Sequence, residues 1–218
     1  MKQKHIALIG ASGFIGSAIL KEALDRGHHV TAIVRFPEKI TIKNPHLKIK
    51  QGDVMDEQIL QLLVQGTDAV ISSYNPGWGN PNIAEDTKTG YHSIIQAVKA
   101  AKVKRLLIVG GAGSLFVEPN VRVMDTSMIS EAILPAVKAL ADVYYGLEKK
   151  EKELQWTFFC PAGTIEHGKQ TRKFRIGRND LITDRNGDSK ISVEDYAVAM
   201  IDELENPEHS FERFTIGY

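Results

Sequence analysis

The stretch Ile6-Ala7-Leu8-Ile9-Gly10-Ala11-Ser12-Gly13-Phe14-Ile15-Gly16 decides how this chain reads. A short apolar run leads directly into three glycines spaced three apart, and a segment of helical period follows. Gly10 permits a tight turn at the end of a strand. Gly13 lets the backbone approach a ligand, and Gly16 lets the next helix pack close to the strand. The uncommitted N–H groups of that helix start, with the helix dipole, favour an anion. Strand, glycine turn, helix and second strand together form the context in which this spacing points to a dinucleotide pyrophosphate. A bare structural turn is the competing reading.

Working outward, apolar runs and helical patterns alternate. Ile6–Ile9, Val30–Val34, Leu47–Ile49, Ala69–Ile71, Leu106–Val109 and Thr157–Phe159 read as strands, several of them continuous as in a sheet buried on both faces. Helices are predicted over Phe14–Asp25 with Gly27 as the stop, Asp56–Val64, Ile83–Ala101 and Pro135–Glu153. The alternation implies an α/β, Rossmann-like, doubly wound parallel sheet with right-handed crossovers. Gly113–Ser130 is the most irregular stretch and follows the fifth strand, where ligand-facing loops belong. The last quarter differs: short strands at Phe174–Ile176, Leu181–Thr183 and Phe214–Ile216, and a helix from Ser192 to about Glu205 with Asp195 as capping-box partner. It is too small to stand alone, so residues 1–218 read as a single dinucleotide-binding domain in which about 162–218 form a small C-terminal lid.

Composition removes other classes. Lys+Arg and Asp+Glu are both 27, so no excess charge points to nucleic acid or an anionic membrane surface. No apolar run approaches the ~20 residues of a membrane span. The single cysteine cannot form a disulfide within the chain and suits a reducing cytoplasm. The oligomeric state is open.

Arg35 ends the second strand, where a binder of the unphosphorylated dinucleotide usually places a carboxylate for the ribose 2′-hydroxyl. A guanidinium there suits a 2′-phosphate, hence NADP(H) over NAD(H), although a solvated strand end would look the same. Asp53, in Gly52-Asp53-Val54 after the third strand, can accept from the adenine amino group or simply cap a helix. Ser72-Ser73-Tyr74 closes the fourth strand beside the expected pyrophosphate and ribose.

Together these segments resemble the atypical short-chain dehydrogenase/reductases, in particular small NAD(P)H-binding proteins of the NADH-flavin reductase-like, biliverdin reductase B-like or NmrA-like kind, within the NAD-dependent epimerase/dehydratase superfamily. The resemblance runs through GASGFIG at 10–16, Arg35, GDV at 52–54, AVISSYNPG at 69–77, LLIVGGAGSL at 106–115, WTFFCPAG at 156–163 and ISVEDYA at 191–197. It implies a cofactor site of Gly10, Ser12, Gly13, Phe14, Ile15, Arg35, Asp53 and Val54, with Ser72 and Pro161 near the ribose and nicotinamide and Lys138 as a further cofactor contact. In the wider family a serine and a Tyr-x-x-x-Lys pair move the proton, the lysine lowering the tyrosine pKa. Here the serine position falls near Ala112, with Ser114 the nearest hydroxyl. The lysine aligns with Lys138, leaving Leu134 at the tyrosine position. A literal Tyr145-x-x-x-Lys149 lies further on, and Tyr145 shares a helix face with Lys138. Ser114, Lys138 and Tyr145 are therefore the catalytic candidates.

Other features carry less. Asp184–Asp195 imitates a calcium loop, but Ser189 replaces the required glycine and Asp195 the bidentate glutamate, so no metal is expected. Cys160 ends the sixth strand and suits a buried structural thiol. Trp78, in a Gly/Pro-rich loop, could stack on a flat substrate or merely cover the loop. The function this implies is an NADPH-dependent reductase of a small flat acceptor such as a flavin or quinone. A non-catalytic NADP(H) sensor is the alternative. A nucleotide-sugar epimerase or dehydratase is third, because little chain follows the sixth strand.

Overall fold

Continuous burial of Arg105–Val109, alternating between the two faces, fixes the centre of the fold: Leu106 and Ile108 join one apolar layer, Leu107 and Val109 the other. The computed structural model describes residues 3–218. In chain order the elements are β1 (His5–Ile9), α1 (Phe14–Asp25), β2 (His29–Val34), β3 (Leu47–Gln51), α2 (Glu57–Val64), β4 (Ala69–Ser72), α3 (Ile83–Ala100), β5 (Arg105–Val109), β6 (Phe116–Glu118), β7 (Val121–Arg122), α4 (Leu134–Lys150), β8 (Gln155–Cys160), β9 (Thr164–Glu166), β10 (Arg175–Gly177), β11 (Lys190–Ser192), α5 (Val193–Glu205) and β12 (Glu212–Gly217). Eight strands form one sheet in the order β10-β12-β8-β5-β4-β1-β2-β3. Every pair in it is parallel except β10 with β12. β1 lies between β2 and β4, so the winding reverses there, and a ligand crevice opens beyond the strand ends at such a point.

One face of the sheet is covered by α1 and α5, with Ile19, Leu20, Tyr196 and Leu204 packed against Phe159 and Phe214. The other carries α2, α3 and α4, with Leu60, Tyr91, Ile94 and Leu147 against Trp156 and Phe158. Charge also ties α1 to α5: Arg26 pairs with Glu22 at 2.7 Å, Asp202 at 2.6 Å and Glu205 at 2.8 Å. The portion 162–218, read as a lid, adds β12 and β10 to the main sheet and α5 to its helix layer, while Ala162, Gly163 and Ile165 reach the crevice.

Three local expectations are corrected. Leu181–Thr183 is not a strand; a single bridge at Asp180 precedes it, and the Thr183 carbonyl accepts from the Arg175 guanidinium at 2.6 Å. The fourth helix ends at Lys150 rather than Glu153, because the Glu151 carboxylate accepts from the backbone N–H of Glu153 and Leu154, both at 2.9 Å. Ser192 caps α5 by accepting from the Asp195 N–H at 3.1 Å, yet Asp195 does not reciprocate. Its carboxylate accepts instead from the backbone of Thr171 and Arg172 and from the Tyr218 hydroxyl. Asp184 likewise spends its carboxylate on the N–H groups of Asn186 and Asp188. Among the described residues no cluster of three or more His, Cys, Asp or Glu could hold a metal ion, and no helix is long and apolar enough to cross a membrane.

Candidate functional site

At the switch point the glycine turn is held from within. The Gly10 N–H donates to the Ile33 carbonyl at 3.1 Å and the Gly13 N–H to the Gly10 carbonyl at 3.0 Å. Gly10 sits at φ +78°, and a Cβ there would lie 2.5 Å from the Ser73 carbonyl oxygen. A Cβ on Gly16 would lie 2.1 Å from the Gly10 carbonyl oxygen. Gly16 thus lets α1 close against the turn itself rather than against the strand. Gly13 is different: an added Cβ would meet only the Gly10 carbonyl oxygen, at 3.3 Å. The chain itself barely requires glycine there, and the space in front of it suits a ligand that approaches the backbone. Helix α1 then begins with no side-chain cap and no acidic residue in its first turn, leaving its positive end open.

Two cavities meet at this turn. The smaller, about 250 Å³, is lined by Gly10, Ser12, Gly13, Arg35, Asp53 and Val54, among others. Sequence reasoning missed Phe36 and Lys39, which also line it. Pro37 opens a single turn of 3₁₀ helix that carries Lys39 back, so its ammonium stands 4.9 Å from the Phe36 ring centre. The Arg35 guanidinium lies 5.9 Å from the same ring. Neither cation pairs with a carboxylate among the described residues. A lysine four residues past the strand-end arginine, across a proline turn, was the available signal. One Asp53 oxygen accepts from the Met55 N–H at 3.0 Å, so this carboxylate shapes the turn while still lining the cavity.

The larger cavity, about 640 Å³, shares Gly13, Ser73, Tyr74 and Asn75 with the first. Phe14, Ile15, Trp78, Ser114 and Pro161 belong to its wall, as do Val109, Val137 and Leu140. Among the described residues this wall holds no Asp, Glu, Lys, Arg or His. Its only ionisable groups are phenols. Burial pushes Tyr74 up to about 12 and raises Tyr91 further. Both protons are engaged, Tyr74 donating to the Asp86 carbonyl at 3.1 Å and Tyr91 to the Tyr74 carbonyl at 3.2 Å.

Several expected site residues lie elsewhere. Ser72 is wholly buried and lines neither cavity; its oxygen accepts from the Tyr74 N–H at 3.4 Å, while the next two residues, Ser73 and Tyr74, face the opening. Lys138 is exposed on the outer side of α4, whose Ala136, Val137, Leu140 and Ala141 face the cavity instead. Tyr145 shares Lys138's side of the helix and likewise lines neither cavity, but it is half-buried, packed against the apolar layer beside Tyr144. Its hydroxyl accepts from Arg122 at 3.3 Å. Lys149 is exposed. Of the three catalytic candidates only Ser114 is in the wall. It is buried, its hydroxyl has no partner among the described residues, and its carbonyl accepts from Arg213 at 2.7 Å. Cys160 lines neither cavity, and burial pushes its thiol up to about 12.

A doubly wound parallel sheet with an open glycine turn at its switch point defines a Rossmann-type dinucleotide-binding protein. Residues 10–207 match the NAD(P)H-binding family, and the chain belongs to it. The YwnB protein of Bacillus subtilis, itself uncharacterised, is 38% identical over 214 residues, 97% of each chain. Two solved structures are also similar. A Bacteroides thetaiotaomicron protein whose name offers it as an epimerase has 54% identity and a TM-score of 0.94, over 100% of this chain and 98% of that one. A Streptococcus pneumoniae protein offered by name as an NADH-flavin reductase has 34% identity and a TM-score of 0.85, over 98% and 99%. The chain is thus a member of the NAD(P)H-binding family, with the fold of the short-chain dehydrogenase/reductases.

Proposed function

We propose that this protein is an NADPH-dependent reductase of a small, flat acceptor such as a flavin or quinone. The small cavity and the glycine turn take the adenosine and pyrophosphate of the dinucleotide, and its nicotinamide half enters the larger cavity beside Pro161: the N–H groups opening α1 hold the pyrophosphate, Asp53 and Val54 border the adenine, and Arg35 with Lys39 holds the 2′-phosphate. A reduced nicotinamide, when bound, supplies the hydride. The observation that carries the reading is the charge-free wall of the second cavity, with Lys138 and Tyr145 both outside it. Nothing in that wall is arranged as a proton relay, so the chain's part is to position an acceptor and exclude water, while solvent provides the final proton. The reductase name of the S. pneumoniae relative supports the same class.

A second reading, a sensor that binds NADP(H) and performs no chemistry, is favoured by the same missing relay. Following NADPH oxidation with a panel of flavins and quinones separates the two. Sustained turnover with at least one acceptor is expected; tight NADPH binding without turnover of any would hand the site to the sensor reading.

A further inference from the structure

We infer that the acceptor enters the second cavity as an uncharged planar ring and that Trp78 is the side chain that covers it. This rests on the reductase reading of the same site. A cavity of about 640 Å³ has room for a two- or three-ring molecule. Its hydroxyls offer little to a charged guest. Besides the two engaged phenols, the Thr87 hydroxyl donates to the Ile83 carbonyl at 2.6 Å, which leaves the hydroxyls of Ser73 and Ser114 and the Asn75 amide, all neutral, as the polar side-chain groups of the wall. An anion or cation moved into such a wall would lose its hydration and find no counter-ion. A neutral quinone or flavin ring would lose little and would bury its faces.

Trp78 stands at the mouth. It lines the cavity, yet 65% of it is exposed, more than any other large aromatic among the described residues. The chain's other tryptophan, Trp156, is buried in the core. On either side of Trp78, Gly77 and Gly79 are so open that an added Cβ would meet nothing within 4 Å, so there is free space beside the indole. An indole left in water beside an apolar opening gains contact area by closing over a flat ring. Val137, Leu140 and Ile133 of the α4 region also line the cavity and offer apolar surface to the ring.

The test is calorimetric titration of two quinones of similar ring size, menadione and 1,4-naphthoquinone-2-sulfonate, into the protein saturated with 1,4,5,6-tetrahydro-NADP, whose ring is uncharged and transfers no hydride, so that binding is read without turnover and without a cationic ring in the cavity. Menadione is expected to bind at least tenfold more tightly than the sulfonate. Trp78→Ala should weaken menadione about tenfold while leaving the affinity for the tetrahydro cofactor unchanged, and Trp78→Phe should keep most of the menadione affinity. Equal affinity for the two quinones, or full menadione affinity in Trp78→Ala, would overturn the inference. Turnover with NADPH is then measured on the same samples. Selective, Trp78-dependent binding of menadione without its reduction supports the inference and overturns the reductase reading. Reduction of both quinones with equal affinity does the reverse.

Discussion

The two cavities on either side of Gly13 are built by opposite rules. The first takes its wall from the ends of β1 and β2 and the segments that follow β1, β2, β3 and β4, and it carries at its rim two cations, Arg35 and Lys39, that pair with no carboxylate among the described residues. The second is assembled from segments far apart in the chain, around residues 13–15, 73–78, 109–114, 129–141 and 158–165, and it is apolar and uncharged. A nucleotide shared by many proteins can be held by a few groups at consecutive strand ends. An acceptor particular to one protein is held by whatever the tertiary fold brings together. The difference separates what binds from what selects, and it can be attacked residue by residue.

The largest effect is expected at the point where the cavities meet. Gly13→Val should remove measurable NADPH binding in calorimetry while thermal unfolding stays close to that of the parent, because the new side chain enters ligand space rather than the core. Normal binding in that variant would move the site elsewhere. Gly16→Ala should do the opposite. Its Cβ would lie 2.1 Å from the Gly10 carbonyl oxygen, so chemical denaturation should show a loss of about 2–3 kcal/mol. Similar stability for Gly16→Ala and the parent would mean that the turn is looser than described.

Next in size is the charge at the rim. Arg35→Ala should weaken NADPH by roughly 1.5–3 kcal/mol, about tenfold to a hundredfold, with little change for NADH. Equal losses for both nucleotides would show that the guanidinium supports the pocket rather than the phosphate. The smallest effect belongs to the side chains that the fold leaves out of the cavity wall. Tyr145→Phe should lower the reduction rate of a flavin or quinone less than tenfold, and Lys138→Ala likewise. A general acid or base contributes a factor of ~10²–10⁴. A loss of that size in Tyr145→Phe, with NADPH affinity unchanged, would return Tyr145 and Lys149 to the chemistry and make carbonyl reduction the better reading.

The first cavity was legible in the sequence because each of its parts is fixed by a local cause. A glycine is needed where φ is positive, a strand end presents its last residue to the crevice, and the strands themselves announce their burial. Even there, Lys39 escaped because a one-turn helix, rather than a strand or long helix, carries it back. The second cavity was not legible, since which face of α4 looks inward depends on how the helix is rotated over the sheet. Lys138 and Tyr145 lie seven residues apart and do share a side of the helix; the fold turns that side away from the cavity, leaving Lys138 in water and Tyr145 half-buried against the apolar layer. Ser72 failed for a related reason. One residue along a strand reverses which side a group faces, and the neighbouring Ser73 took the place assigned to it. In the last quarter, Asp195 had the spacing of a capping box, but the chain returning at Thr171 and Arg172 supplied better donors.

The proposed preference for NADPH rests on the small cavity recognising a phosphorylated ribose. Calorimetric titration of NADPH and of NADH into the unmodified protein, under one buffer and salt condition, tests this most directly. The expected result is at least tenfold tighter binding of NADPH, the margin of one charge-assisted phosphate contact at about 1.5 kcal/mol. Equal affinities, or a preference for NADH, would contradict the assignment of Arg35 and Lys39 to the 2′-phosphate.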